Sequence, residues 1–201
     1  MIKIAVLVSG GGTNLQNLID AWKEEKLSGG ELSLVISSAK GAFALERAKE
    51  AGIKTAVIER KKFACMEDAD NEYSSVLAEN NIDFIVLAGF LSILGPKVIK
   101  NWENRIINVH PALIPSFCGK GFYGLKVHKA VLESGVKETG ATVHFVNEIV
   151  DGGKIILQKT VDVLEDDTPE SLQQRVMREG EWVLLPKAVA MYCRGELGVR
   201  D

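Results

Sequence analysis

The 201-residue chain is 46 % hydrophobic and 25 % charged, an ordinary globular composition long enough to bury one sizeable core. A net charge of −3 excludes binding to nucleic acid through bulk positive charge, so any phosphate it recognises is expected to be small and locally held. Cys65, Cys118 and Cys193 lie far apart with no CxxC pair, which argues against a disulfide framework or a cysteine metal site and for a reducing, cytoplasmic setting.

Short β-rich runs alternate with helix-period segments. Ile2–Val8 (IKIAVLV) reads as a strand buried on both faces, followed by a helix over about 14–26. The alternation continues with a strand over 32–37, a helix over 42–51, a strand over 55–58, a helix over 68–80 and strands over 84–88 and 106–109, the pattern of a parallel α/β sheet. The apolar stretch 82–94 contains Asp83 and is too short to span a bilayer. After a loop over 111–124 come a helix over 126–134, strands over 139–146 and 154–163, and a closing helix from 169 to about 194. Two adjacent strands joined through Asp151-Gly152-Gly153 imply an antiparallel addition to the sheet.

The first strand ends in Ser9-Gly10-Gly11-Gly12-Thr13-Asn14, which lets the backbone turn sharply and aims unpaired amides of the next helix at an anion, or else forms a plain tight turn capped by Asn14. It matches neither dinucleotide nor P-loop spacing. Leu87 to Leu94 carries the fourth strand past its carboxyl end, where open α/β sheets bind ligands and Gly89 admits one close to the backbone; an apolar run of this kind is equally a piece of core. Asn108 and His110, at i and i+2, put both side chains on one face of the next strand, and Pro111 ends that strand. With Asp151 they supply an amide that cannot ionise, an imidazole that can and a carboxylate able to pair with it, the parts needed to stabilise an oxyanion while moving a proton. The bland reading is an Asn and a His satisfying loop carbonyls.

Other residues carry less. Cys118 has no base placed beside it by sequence and is not read as a nucleophile. His128 is expected at a helix surface or cap, and His144 alternates with Thr142 on one strand face, either behind the site or as a structural histidine.

The segments SGGGTN at 9–14, LAGFLSIL at 87–94, INVHPALIPSF at 107–117, GATVHFVNEIVDGGKIILQ at 140–158 and RVMREGEWVLLP at 175–186 together resemble the glycinamide ribonucleotide formyltransferases, folate-dependent enzymes of purine synthesis. The resemblance covers nearly the whole chain; its Asn-x-His-Pro and Asp-Gly-Gly elements are shared by the wider formyltransferase superfamily. It implies one domain over 1–201 with a Rossmann-like, mostly parallel sheet, helices on both faces and an antiparallel C-terminal addition. The half 1–100 would bind the phosphate and the half 101–201 would carry catalysis and folate. The implied reaction moves the formyl group of 10-formyltetrahydrofolate, a co-substrate, onto the glycine amine of glycinamide ribonucleotide, with no metal, nucleic acid or membrane involved.

In this reading Asn108, His110 and Asp151 are catalytic, with Thr142 and His144 behind them. Gly11, Gly12, Thr13, Asn14, Gly89 and Arg178 hold the ribonucleotide and its phosphate, and Glu181 reaches the ribose, although Arg178 and Glu181 at this spacing also fit an exposed intrahelical ion pair. Leu91, Ser92, Ile93, Leu94, Asn147, Glu148 and Val150, with Asn108 and Met66, form the folate site. Leu91-Ser92 stands where Met-Arg is frequent and Met66 where arginine is usual, so the contacts to the glutamate end of folate are open. Cys118 replaces a usual proline and Trp182 a usual histidine. Formyltetrahydrofolate deformylase and methionyl-tRNA formyltransferase share the Asn, His and Asp order, but the first carries an additional domain before its first strand and the second one after its last, so the 201-residue length is expected to speak against both. A sugar-nucleotide formyltransferase would need another pocket, and a non-catalytic nucleotide-binding module would need none of the three residues.

Overall fold

The computed structural model describes residues 1–198; residues 199–201, part of the expected 1–201 domain, lie outside the described residues. In chain order the elements are β1 (Ile2–Val8), α1 (Thr13–Lys23), β2 (Gly30–Ser37), α2 (Ala44–Glu50), β3 (Lys54–Val57), α3 (Met66–Glu79), β4 (Phe84–Leu87), α4 (Pro96–Asn101), β5 (Ile106–His110), α5 (Leu125–Ser134), β6 (Glu138–Phe145), β7 (Ile155–Asp162), α6 (Pro169–Val176) and α7 (Trp182–Cys193). The seven strands form one sheet in the order β3-β2-β1-β4-β5-β6-β7. Pairing is parallel from β3 through β5 and antiparallel for β5–β6 and β6–β7, as the alternation followed by two adjacent strands implied.

Because the chain winds outward from β1 to β3 and then returns to place β4 on the other side of β1, the order reverses between β1 and β4. A crevice opens there at the strands' carboxyl ends. Ile4 to Val8 of β1 are fully buried, since helices cover both sides of the sheet. One apolar cluster joins Leu15 and Leu18 of α1 to Leu185 and Val189 of α7; the other joins Tyr73 and Leu77 of α3 to Val98 of α4. The Phe84 ring of β4 stacks on Tyr192 of α7 at 3.6 Å between centroids. Among the described residues no helix is long and apolar enough to cross a membrane.

Three features depart from the expected elements. Residues 96–101 form α4, a short helix signalled by Gly95-Pro96, since proline suits the first helical position. Its first turn is capped from outside, because the buried Asp70 carboxylate accepts from Gly95 N–H at 2.8 Å and Lys97 N–H at 3.1 Å. The single closing helix expected from 169 to 194 is instead α6 and α7 joined by a π-helical turn, Met177–Glu181. There Gly180 lies so close to β6 that a Cβ would sit 2.9 Å from the Ala141 methyl, and the wider turn rotates the next side chain, Glu181, into the protein.

The third departure is His128. Rather than lying at a helix surface or cap, it is fully buried on α5, with neither ring nitrogen bonded to a protein group. The apolar face of α5 packs it inward beside Val127 and Val131, and sequence spacing alone did not separate that face from the solvent one. Burial holds its imidazole at about 4, with His110 adding to the depression. A base whose folded pKa is depressed leaves stability intact above the unfolded value near 6.5 and removes it as pH falls toward 4, since only the unfolded chain takes up the proton in that interval. The loss amounts to about 3 kcal/mol. His128→Leu is therefore expected to flatten the fall in melting temperature between pH 7 and pH 4.5, the wild type losing roughly 5–10 °C more than the variant. Parallel melting curves against pH would sink this assignment.

Candidate active site

The Gly-rich turn sits at the crevice mouth, between the end of β1 and the start of α1. Gly12 takes the cap position in the left-handed conformation (φ 72°), and a Cβ there would lie 2.6 Å from the Ala44 methyl, so both the turn and the packing of α2 require glycine. Asn14 is not the cap. It lies inside α1, where its side-chain amide donates to the Glu181 carboxylate at 2.5 Å across 167 residues of sequence. Glu181 is 9 % exposed; burial raises its carboxyl above the ordinary value, and the Asn14 bond partly offsets this. The Arg178–Glu181 ion pair is absent among the described residues, because a π turn does not put i and i+3 on one face. Arg178 is exposed and donates to the Gln174 carbonyl at 3.3 Å. The Ser9 hydroxyl at the end of β1 accepts from Leu91 N–H at 2.7 Å, which ties the segment after β4 to the turn after β1. Gly89 adopts φ 67° with open space where a side chain would stand.

At the end of β5, Asn108 and His110 meet Asp151. The register sets His144 of β6 opposite Asn108 and Thr142 opposite His110. Asp151, itself in the left-handed region (φ 56°), sends one carboxylate oxygen to Gly119 N–H at 2.9 Å and to His110 Nδ1 at 3.6 Å, and the other to His144 Nε2 at 3.6 Å. The Asn108 amide donates to His144 Nε2 at 3.1 Å and reaches toward Asp151 at 3.5 Å. His144 Nδ1 lies 2.8 Å from the Phe145 carbonyl, which places its proton there and leaves Nε2 as the acceptor. By the same reasoning His110 carries its proton on Nε2, bonded to the Phe117 carbonyl at 2.9 Å.

Burial pushes His110 down, the Asp151 charge and the Phe117 carbonyl push it up, and the balance falls below the ordinary histidine value. For Asp151, burial raises the carboxyl, but His144 and His110, each once the nitrogen facing the carboxylate takes up a proton, and the Gly119 N–H outweigh it and hold the group below its usual value. The result is an amide, two imidazoles and an ionised carboxylate in mutual contact, able to stabilise a negative oxygen and pass a proton. Thr142 does other work: its hydroxyl donates to the Ala112 carbonyl at 2.7 Å and accepts from Ile114 N–H at 3.1 Å, anchoring the loop that follows His110.

A cavity of about 130 Å³ opens beside these groups. Its walls include Leu87, Ser92, Ile93, Leu94, Val146, Asn147, Glu148, Ile149 and Val150, and its floor Asn108, His144 and Asp151. Apolar sides with a few polar groups converging at one end suit a flat heterocycle. Met66 lies outside this lining, at the start of α3 against Gly95, and the Leu91 side chain points to solvent at 64 % exposure.

Residues 2–189 match the formyl transferase family. The chain belongs to that family. It is 41 % identical over 204 aligned residues to the phosphoribosylglycinamide formyltransferase of Haemophilus influenzae, covering 100 % of this chain and 92 % of that relative. It is 39 % identical over 203 residues to the chloroplastic phosphoribosylglycinamide formyltransferase of Arabidopsis thaliana, covering 99 % and 68 %. The trifunctional purine biosynthetic protein adenosine-3 of Gallus gallus is 43 % identical over 200 residues, and the chain spans 19 % of that relative's length. Among solved structures, glycinamide ribonucleotide transformylase 1 from Symbiobacterium toebii superposes with a TM-score of 0.90 at 38 % identity, covering 97 % of this chain and 89 % of that one.

Within this formyl transferase the cavity includes residues that motif reading passed over. Phe90 and Ile99 line it, the latter carried by α4, so the Gly95-Pro96 signal was the means of finding it. Cys118 donates to the Pro115 carbonyl at 3.2 Å, and burial followed by the Asp151 charge pushes its thiol pKa up, against nucleophilic use. Trp182 opens α7 with its indole N–H unbonded to any protein group, and nothing in the structure assigns it a role at the formyl transferase site.

Proposed function

We propose that this formyl transferase moves the formyl group of 10-formyltetrahydrofolate to the glycine amine of glycinamide ribonucleotide, yielding N-formylglycinamide ribonucleotide and tetrahydrofolate in cytoplasmic purine biosynthesis. The observation that carries the reading is the convergence of Asn108, His110 and Asp151, with Asn108 and Asp151 lining a cavity whose 90–94 wall is tied through Leu91 N–H to Ser9 of the Gly-rich turn. We read residues 1–201 as one formyltransferase domain, with the turn side holding the ribonucleotide and the cavity side the folate.

The neutral amine attacks the formyl carbon, a tetrahedral oxyanion forms, the bond from that carbon to the folate nitrogen breaks, and the proton lost by the amine ends on the departing nitrogen. Asn108 donates to the oxyanion from its amide and His110 from Nε2. For the latter the oxyanion takes the place of the Phe117 carbonyl, which that nitrogen holds in this structure. Asp151, facing His110 Nδ1, favours the charged imidazole and helps carry the proton, directly or through water. Gly11, Gly12, Thr13 and Asn14, with Gly89 and Arg178, take the ribonucleotide and its phosphate, and Glu181 the ribose. The 91–94 and 147–150 segments take the pterin.

Absorbance-monitored conversion of formyl-folate by the purified protein is expected only when glycinamide ribonucleotide is present. Turnover with water alone would instead make the chain a deformylase, and no turnover by folded protein would leave a nucleotide-binding module.

A further inference from the structure

The Gly-rich turn does not aim its own amides; α2 aims them. Gly10 and Gly11 each give their carbonyl to α2: Ala44 N–H donates to Gly10 O at 3.1 Å, and the Arg47 Nε–H donates to Gly11 O at 2.9 Å. The one cis peptide among the described residues is Ile114–Pro115, so both glycine peptides are trans and each N–H points opposite to its carbonyl. The N–H groups of Gly11 and Gly12 are thereby turned away from α2, and among the described residues no acceptor is bonded to either. Two successive amides ahead of the positive end of α1, with Gly12 in the left-handed region, form an anion-binding concavity.

Arg47 is itself fixed by further contacts. Its Nη1 donates to Gln16 Oε1 at 3.0 Å, its guanidinium lies 5.0 Å from the centre of the Phe43 ring, and its aliphatic stem would meet a Cβ at Gly12 at 3.4 Å. A cation bonded to a peptide oxygen also polarises that peptide and strengthens the N–H at its other end.

We propose that Arg47 is a positioning residue of the ribonucleotide site: by fixing the Gly11 carbonyl it points the Gly12 N–H at the substrate phosphate without touching it. This rests on the reading of the turn as the phosphate site. Steady-state kinetics of the full chain test it. Arg47→Met is expected to raise KM for glycinamide ribonucleotide, and Ki for inorganic phosphate, by about tenfold, the worth of one charge-assisted hydrogen bond. kcat and KM for the formyl donor should stay within about twofold. An unchanged ribonucleotide KM would overturn the inference, as would a joint shift of kcat and both KM values with a lowered melting temperature, which marks general loosening. Should Arg47→Met fail to fold, Arg47→Lys, which keeps the charge but not the Nε geometry, is read by the same criteria. An inactive wild type would defeat the functional reading, whereas an active wild type with an indifferent variant defeats only this one.

Discussion

Asp151→Asn is expected to lower kcat by about a thousandfold, within the range that general acid–base groups contribute, while the protein stays folded. The variant keeps the volume and one oxygen that can still accept from Gly119 N–H, so the loop geometry is largely preserved. What it loses is the charge. In the native site that charge lifts the His110 pKa against the burial that lowers it. Without it, His110 falls further below its ordinary value and a smaller fraction is protonated at pH 7. The limb of the pH–rate profile that reports the charged imidazole is expected to move toward acid, and acidifying the assay should recover part of the activity. If kcat and the profile both match the wild type, Asp151 has no part in the chemistry and the oxyanion relies on Asn108 and His110 alone.

The second large effect concerns the backbone that delivers that carboxylate. At Gly153 a Cβ would lie 1.7 Å from the Phe145 carbonyl oxygen and 2.7 Å from its carbon. That carbonyl cannot retreat, because Phe145 is paired with Ile107 of β5 on one side and donates its N–H to the Lys154 carbonyl at 2.9 Å on the other. Gly153→Ala is therefore expected to cost about 3 kcal/mol or more in urea unfolding and to move Asp151 off its four partners, so that activity falls further than the fraction unfolded explains. Gly41→Ala is the control, since no atom lies within 4 Å of its Cβ and its effect should stay within about 0.5 kcal/mol. A Gly153→Ala protein as stable as that control would mean the chain does not cross β6 this closely.

Much of this site was legible in local sequence. Asn108 and His110 share a face because a strand repeats every two residues, and Pro111 ends the strand because it has no amide to donate. The tight Asp-Gly-Gly turn follows from the same kind of rule, since the left-handed φ of Asp151 and the crowding at Gly153 are answered by residue types that tolerate them. The alternation of apolar runs and helix periods likewise determined the element order and the change from parallel to antiparallel pairing.

What only the tertiary structure decided are contacts between residues far apart in the chain and the faces that packing selects. Asn14 reads as a helix cap until Glu181 is brought against it, and Glu181 reads as an exposed partner of Arg178 until the π turn rotates it inward. His128 and Arg47 are alike in this: each sits on an amphipathic helix whose local pattern is silent about its neighbours, one buried without a partner, the other bonded to a glycine carbonyl 36 residues away. Strand and helix periods arise from the backbone geometry of neighbouring residues, which sequence carries directly. The protonation of His110 arises from burial, Asp151 and the Phe117 carbonyl, and the hold on the Gly11 carbonyl from a side chain of α2, and these come together only once the sheet has closed around them.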